Sequence, residues 1–92
     1  MEDRELERLR AEIDRIDGQL LALFLERVRV VDEIGAHKRK QGLPVRDESR
    51  EAELLAHIRA QAGQEQAEEA EALFRALLDI SRGRQERGRG HT

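Results

Sequence analysis

Ninety-two residues allow one domain, and 40% charged against 38% apolar residues with only 2% aromatics disfavour a β-sandwich, which draws on aromatic and β-branched side chains. A net charge of −3 argues against a general nucleic-acid binder. No cysteine is present for a disulfide or thiolate metal site, no apolar run could span a bilayer, and the charged opening MEDRELERLR is not a signal peptide, so a cytoplasmic protein is expected.

Ala, Leu, Glu and Arg dominate the chain and there is a single proline, which favours helices. Two Phe with no Trp or Tyr make a thin core, and small domains are marginal alone. Oligomerisation is therefore expected from composition.

The first predicted helix runs from about Glu5 to about Lys40. Leu6, Leu9, Ile13, Ile16, Leu20, Leu23, Arg27, Val30 and Ile34 alternate by three and four, a heptad seam with one polar member. Leu21, Phe24, Leu25, Val28 and Val31 widen the apolar surface in the middle. At about 1.5 Å per residue such a helix is roughly 50 Å long. A chain of this size cannot cover a rod of that length, so a partner chain is expected to bury part of it.

Gly42 and Pro44 in QGLPV end that helix. A second helix is predicted from Arg46 or Asp47 to about Ala62, with Leu54, Leu55 and Ile58 on its apolar face. QAGQEQ, around Gly63, is a turn. The third helix begins near Glu65 and reaches the low eighties; Ala67, Ala70, Phe74, Leu77 and Ser81 form its seam. The tail RGRQERGRGHT carries three glycines and is expected to fray. A folded domain over residues 1–85 and a flexible tail or linker over 86–92 follow.

The polar residues that interrupt these seams carry the functional information. Arg27 sits in the first seam, and Lys38, eleven residues on, returns to within roughly 20° of the same face. Asp47, Arg50 and Glu51 precede Leu54 and Ile58 on one face of the second helix. Ser81 occupies a seam position in the third, and Gln85 follows one turn later. If the three faces meet, as a bundle requires, these side chains converge on one polar cavity. Guanidinium groups bind carboxylates in a bidentate fork, so the cavity suits a small anion.

Each residue also has a plainer reading. A seam arginine such as Arg27 can set register or snorkel to solvent. Lys38 near a helix end suits the dipole. Asp47 can cap a helix, and Arg50 with Glu51 can be a solvated pair. Ser81 can be a tolerated small residue and Gln85 part of the tail. Gly35 costs about 1 kcal/mol relative to Ala inside a helix. Close approach of a ligand or helix would account for it, and so would neutral tolerance. Composition and periodicity reach a helical oligomer with a cationic pocket, and they name no reaction.

Four segments carry a resemblance: LRAEIDRID, with Arg10, Ile13 and Asp17; LLALFLERVRVVDEIGAHK, with Arg27, Gly35 and Lys38; PVRDESRE, with Asp47, Arg50 and Glu51; and LFRALLDISRGRQ, with Ser81 and Gln85. In this order and spacing, from about Leu6 to Gln85, the chain resembles the all-helical chorismate mutases of aromatic amino-acid biosynthesis. The resemblance implies an all-α fold of three helices with a very long first helix, two chains intertwining as a homodimeric bundle. Each of two sites would borrow Arg10 from the other chain. Arg10 and Arg27 are about 25 Å apart along one helix and roughly 100° apart around it, so one chain cannot bring both to a small ligand.

The implied reaction is the [3,3] rearrangement of chorismate to prephenate, which uses no cofactor or metal. By resemblance, Arg27 and the partner chain's contribution at position 10 clamp the two carboxylates. Lys38 donates to one carboxylate and to the ether oxygen, and Gln85 is the second donor to that oxygen. Glu51 accepts from the ring hydroxyl, helped by the backbone near Asp47. Arg50 supports the carboxylate end and orients Glu51, Ser81 donates to a carboxylate, and Ile34 walls the ring. The loop around Gly63 is shorter than in the best-known members. SRGRQ also replaces a better helix, and fraying before Gln85 would leave that donor to order with ligand or not to contribute.

Some family members are fused to another enzyme of the shikimate pathway, notably an aldolase-like synthase. Fusion or association with such a synthase is thus one expectation. A regulatory or dimerisation module with little activity of its own is the alternative reading. Nucleic acid is not an expected partner, because the RG-rich tail is short and lacks aromatics; nor is a membrane.

Overall fold

The computed structural model describes residues 3–90, and every element among them is an α-helix. Helix α1 spans Arg4–Gln41, α2 Glu48–Ala62 and α3 Ala67–Gly90. The all-α class, the three-helix order and the very long first helix are those the sequence predicts. Among the described residues, no helix is long and apolar enough to cross a membrane.

The structure divides between Val30 and Val31 into two units. The first contains only the N-terminal part of α1. Its start is capped by Asp3, whose Oδ1 accepts from the Leu6 amide at 3.0 Å, and Glu5 and Glu7 in the first turn suit the positive end of the dipole. Arg8 is held between Glu5 at 2.6 Å and Glu12 at 2.8 Å, exposed pairs worth about 0.2–0.5 kcal/mol each. Leu6, Leu9, Ile13, Ile16, Leu20, Leu21, Leu23 and Leu25 all stand 40–62% exposed. Each would yield about 1.5–3 kcal/mol on full burial, so this helix leaves most of its apolar stabilisation unrealised in the single chain.

The second unit comprises the end of α1, the following loop, α2 and α3. Helix α1 stops in a Schellman motif: Gly42 adopts a positive φ of 69°, its amide donates to the Arg39 carbonyl at 3.3 Å, and the Leu43 amide donates to the Lys38 carbonyl at 2.8 Å. The side chain of Asp47 caps α2 by accepting from the Arg50 amide at 3.0 Å. Helix α2 ends at Gly63, a short turn reverses the chain, and α2 packs on α3.

An ion-pair chain ties the two helices near that turn. Arg59 reaches Glu71 at 2.8 Å, and Arg75 grips the other oxygen of Glu71 at 2.7 Å. Hydrogen bonds from Arg75 and then Arg59 hold the Glu71 carboxyl below its ordinary pKa. The apolar core is thin, as composition implies: Val31, Val45 and Ala67 are its buried hydrophobic members among the described residues.

Helix α3 departs from expectation at its end. The glycines of RGRQERGRG predict fraying after the low eighties, yet the helix continues to Gly90. Glycine costs about 1 kcal/mol per helical position. A two-point ion pair from Arg84 to Asp32 of α1 opposes that cost. Residues 91 and 92 of the expected tail lie outside the described residues.

Candidate active site

Helix α3 presents Ser81 and Gln85 one turn apart on one face, and both are 7% exposed. These are polar side chains in positions that packing reserves for apolar ones. The Ser81 hydroxyl donates to the Leu77 carbonyl at 2.8 Å, the usual resting place of a helical serine. Gln85 is different. Its Oε1 is buried and has no hydrogen-bond partner among the described residues. A buried unpaired carboxamide oxygen costs about 1–3 kcal/mol, and native folds keep few of them.

Glycine at position 35 explains how α1 and α3 meet here. Gly35 is buried, and a Cβ on it would lie 3.2 Å from Gln85 Cγ and 3.6 Å from Gln85 Cα. The sequence leaves Gly35 between close approach and neutral tolerance; the approach is to α3 of the same chain. Beside this contact Arg84 makes a two-pronged pair with Asp32, Nε to Oδ1 at 2.9 Å and Nη2 to Oδ2 at 2.7 Å. The Arg84 hydrogen bond, with the charges of Arg84, Arg87 and Arg39, holds the Asp32 carboxyl below its ordinary pKa; partial desolvation opposes them. Asp32, Gly35, Arg39, Arg84, Gln85, Arg87 and Gly88 line an open depression of about 260 Å³.

Glu51, in the first turn of α2, is partly buried and faces α3. Its Oε1 accepts from Arg82 Nη1 at 2.6 Å. Arg82 also reaches Asp79 with its other terminal nitrogen. The Glu51 hydrogen bond raises the Arg82 pKa above its ordinary value.

Lys38, in the last turn of α1, is partly buried and donates from Nζ to the Val45 carbonyl at 2.7 Å. Val45 is itself buried, so this bond pins the loop between α1 and α2. Ile34 precedes Gly35 and is 43% exposed. Asp47 serves as the α2 cap, the plainer of its two readings, and this use orients its carboxylate toward the backbone. Arg50 is exposed and lines a shallow depression with Glu53, Leu54 and His57.

Arg10 and Arg27 belong to the other unit. Arg10 is exposed. Arg27 is only partly exposed, and burial lowers its pKa from the ordinary arginine value. An arginine so placed loses hydration of its charge, a cost that an anionic partner offsets.

Two features escape the sequence reading. Arg82 is the partner of Glu51 across 31 residues, and Arg84 is the partner of Asp32 across 52. Neither separation has a local spacing signal. The only hint was the run of arginines itself, which also fits a solvated tail.

These features define an all-α domain whose candidate site residues, the α2 cap Asp47 apart, stand on helix faces. The chain belongs to the chorismate mutase type II family, whose sequence model matches residues 9–86. It is 44% identical over 54 residues to the bifunctional chorismate mutase/prephenate dehydratase of Aquifex aeolicus strain VF5, covering 59% of this chain and 15% of that protein. It is 43% identical over 58 residues to the T-protein of Enterobacter agglomerans, covering 63% of this chain and 16% of the relative. The T-protein of Haemophilus influenzae shares 39% identity over 57 residues, covering 62% and 15% respectively. The similarity therefore covers about a sixth of the length of these relatives.

Proposed function

We propose that this chain is a chorismate mutase, converting chorismate to prephenate, and that it works as an intertwined homodimer. The observation that carries the reading is the pair of buried polar side chains on one face of α3, Ser81 and Gln85, in positions that packing reserves for apolar ones. A fold tolerates such groups where a polar ligand meets them.

The reaction is intramolecular, so the protein's tasks are orientation and electrostatics. Chorismate must be held in its compact diaxial conformer, which removes the entropic part of the barrier. As the C–O bond breaks ahead of C–C formation, negative charge grows on the ether oxygen. Preorganised donors aimed at that oxygen stabilise the transition state more than the ground state.

Lys38 has three donors and spends one on Val45, leaving two for a substrate carboxylate and the ether oxygen. The Gln85 carboxamide supplies the second donor to that oxygen. Glu51 spends one oxygen on Arg82 and has the other for the ring hydroxyl. Ser81 turns its proton from the Leu77 carbonyl to a carboxylate. Arg27 clamps a carboxylate, and the second clamp is Arg10 from the other protomer. Arg50 supports the carboxylate end, the backbone near Asp47 meets the hydroxyl, and Ile34 lies against the ring.

The uncovered apolar stripe of α1 supports the dimer, since a second copy of the same stripe is its natural complement. Fusion or association with a second pathway enzyme is a further part of the proposal, supported by a relative that carries two activities in its name.

The decisive experiment mixes purified protein with chorismate and follows loss of its absorbance while prephenate is identified by mass. Turnover that scales with enzyme supports the reading. A folded dimer that leaves chorismate untouched sinks it and favours the regulatory or dimerisation module.

A further inference from the structure

Among the described residues Glu51 has one ion-pair partner, and that partner is not on its own helix. Arg82 Nη1 donates to Glu51 Oε1 at 2.6 Å, and the two side chains are 27% and 17% exposed. Arg82 is itself restrained by Asp79 one turn earlier on α3. The guanidinium is thus braced on α3 and presses on one oxygen of a carboxylate in the first turn of α2. Arg82 adjoins Ser81, so the same turn of α3 that supplies a buried polar residue also holds Glu51.

We propose that Arg82 is a positioning residue for Glu51: it occupies Oε1, fixes the rotamer of the carboxylate, and leaves Oε2 to accept from a hydroxyl on the substrate ring. The proposal rests on the mutase reading of Glu51. The physical reason is geometric. A glutamate on a first helical turn has three rotatable bonds, and an acceptor must be held within hydrogen-bond reach of its donor to contribute. A forked, always-charged donor anchored on the facing helix removes that freedom without occupying both oxygens. Residues that orient a metal ligand from behind matter by about 10- to 100-fold, and a residue that orients a substrate contact is expected to act on the same scale.

The alternative role for Arg82 is a structural clasp between α2 and α3, and the test separates the two. Arg82→Met keeps the apolar stem and removes the fork; Arg82→Lys keeps the charge. Both are compared with Glu51→Gln and with the double variant Arg82→Met/Glu51→Gln, using chorismate as substrate and circular dichroism with thermal melting as the fold control. The expected result is a roughly tenfold fall in kcat/KM for Arg82→Met, partial rescue by Arg82→Lys, and less than about twofold further loss when Arg82→Met is added to Glu51→Gln. Losses that multiply in the double variant overturn the proposal, as does an Arg82→Met protein that melts earlier with parental kcat/KM. Should Arg82→Met fail to fold, Arg82→Lys and Arg82→Gln carry the same cycle. Absence of turnover in the parent protein is a separate outcome: it refutes the mutase reading and this inference with it. Parental turnover without coupling refutes the inference alone.

Discussion

Gly35 of α1 lies so close to Gln85 of α3 that a Cβ on the glycine would stand 3.2 Å from Gln85 Cγ. The contact is tight enough that any added carbon must move the glutamine side chain. Gly35→Ala therefore sets two effects against each other. Alanine improves the helix by about 1 kcal/mol. On the proposed mutase reading, displacing Gln85 removes a donor to the ether oxygen. The expected outcome is unchanged or higher helicity and melting temperature with a several-fold drop in kcat, measured by circular dichroism and chorismate turnover on the same preparation.

Gln85 also makes a prediction about pH. If it is the neutral donor proposed, activity should depend little on pH around neutrality. In Gln85→Glu only the protonated carboxyl can donate to the ether oxygen, so activity should rise as pH falls. A pH–rate profile of this variant that matches the parent's would remove Gln85 from the site.

Arg27 occupies a seam position where packing prefers leucine, and its burial lowers its pKa. Arg27→Leu should keep helicity and oligomeric mass and hold or raise the melting temperature. Turnover should fall at least about 100-fold, the range seen when one preorganised donor is removed from a transition state. Analytical ultracentrifugation reads the competing role: a change of oligomeric state would mark Arg27 as a register device.

If position 10 acts across the dimer, two dead variants should rescue each other. Arg10→Ala and Arg27→Ala are each expected to be nearly inactive. Unfolded, mixed in equal amounts and refolded together, they form heterodimers in which one of two sites is intact. Random pairing returns about a quarter of parental activity. No recovery, with heterodimers present by native mass spectrometry, would place both arginines in a site of one chain or outside the site.

The Asp32–Arg84 pair predicts an acid limb in stability. The folded-state pKa of Asp32 is depressed, chiefly by its Arg84 hydrogen bond. The stabilisation is complete above the unfolded carboxylate pKa and is lost as pH falls through the lower folded value. Thermal melts of Asp32→Asn should show a shallower loss across that acid window than the parent. Because the pair is partly solvated, added salt should narrow the difference between the two proteins.

Asp47 was readable both as a cap and as a site residue because capping depends only on the three residues that follow it. Gly42 and Pro44 marked the end of α1 for an equally local reason. Ser81 and Gln85 were legible as polar intruders in an apolar seam, and the structure buries both. The end of α3 was misread, because glycine propensity is a local quantity and the opposing Asp32–Arg84 pair is not.

By itself the sequence determined the three helices, their caps, the uncovered heptad seam and the short set of polar residues that break it. Those follow from periodicities of three and four and from backbone chemistry within one turn. Only tertiary structure decided that Arg82 meets Glu51, that Arg84 meets Asp32, and that Gly35 serves Gln85. The two ion pairs join residues 31 and 52 positions apart, and an arginine's five donors fit any carboxylate equally well. Packing of helix on helix selects among them, and no spacing along the chain encodes that choice.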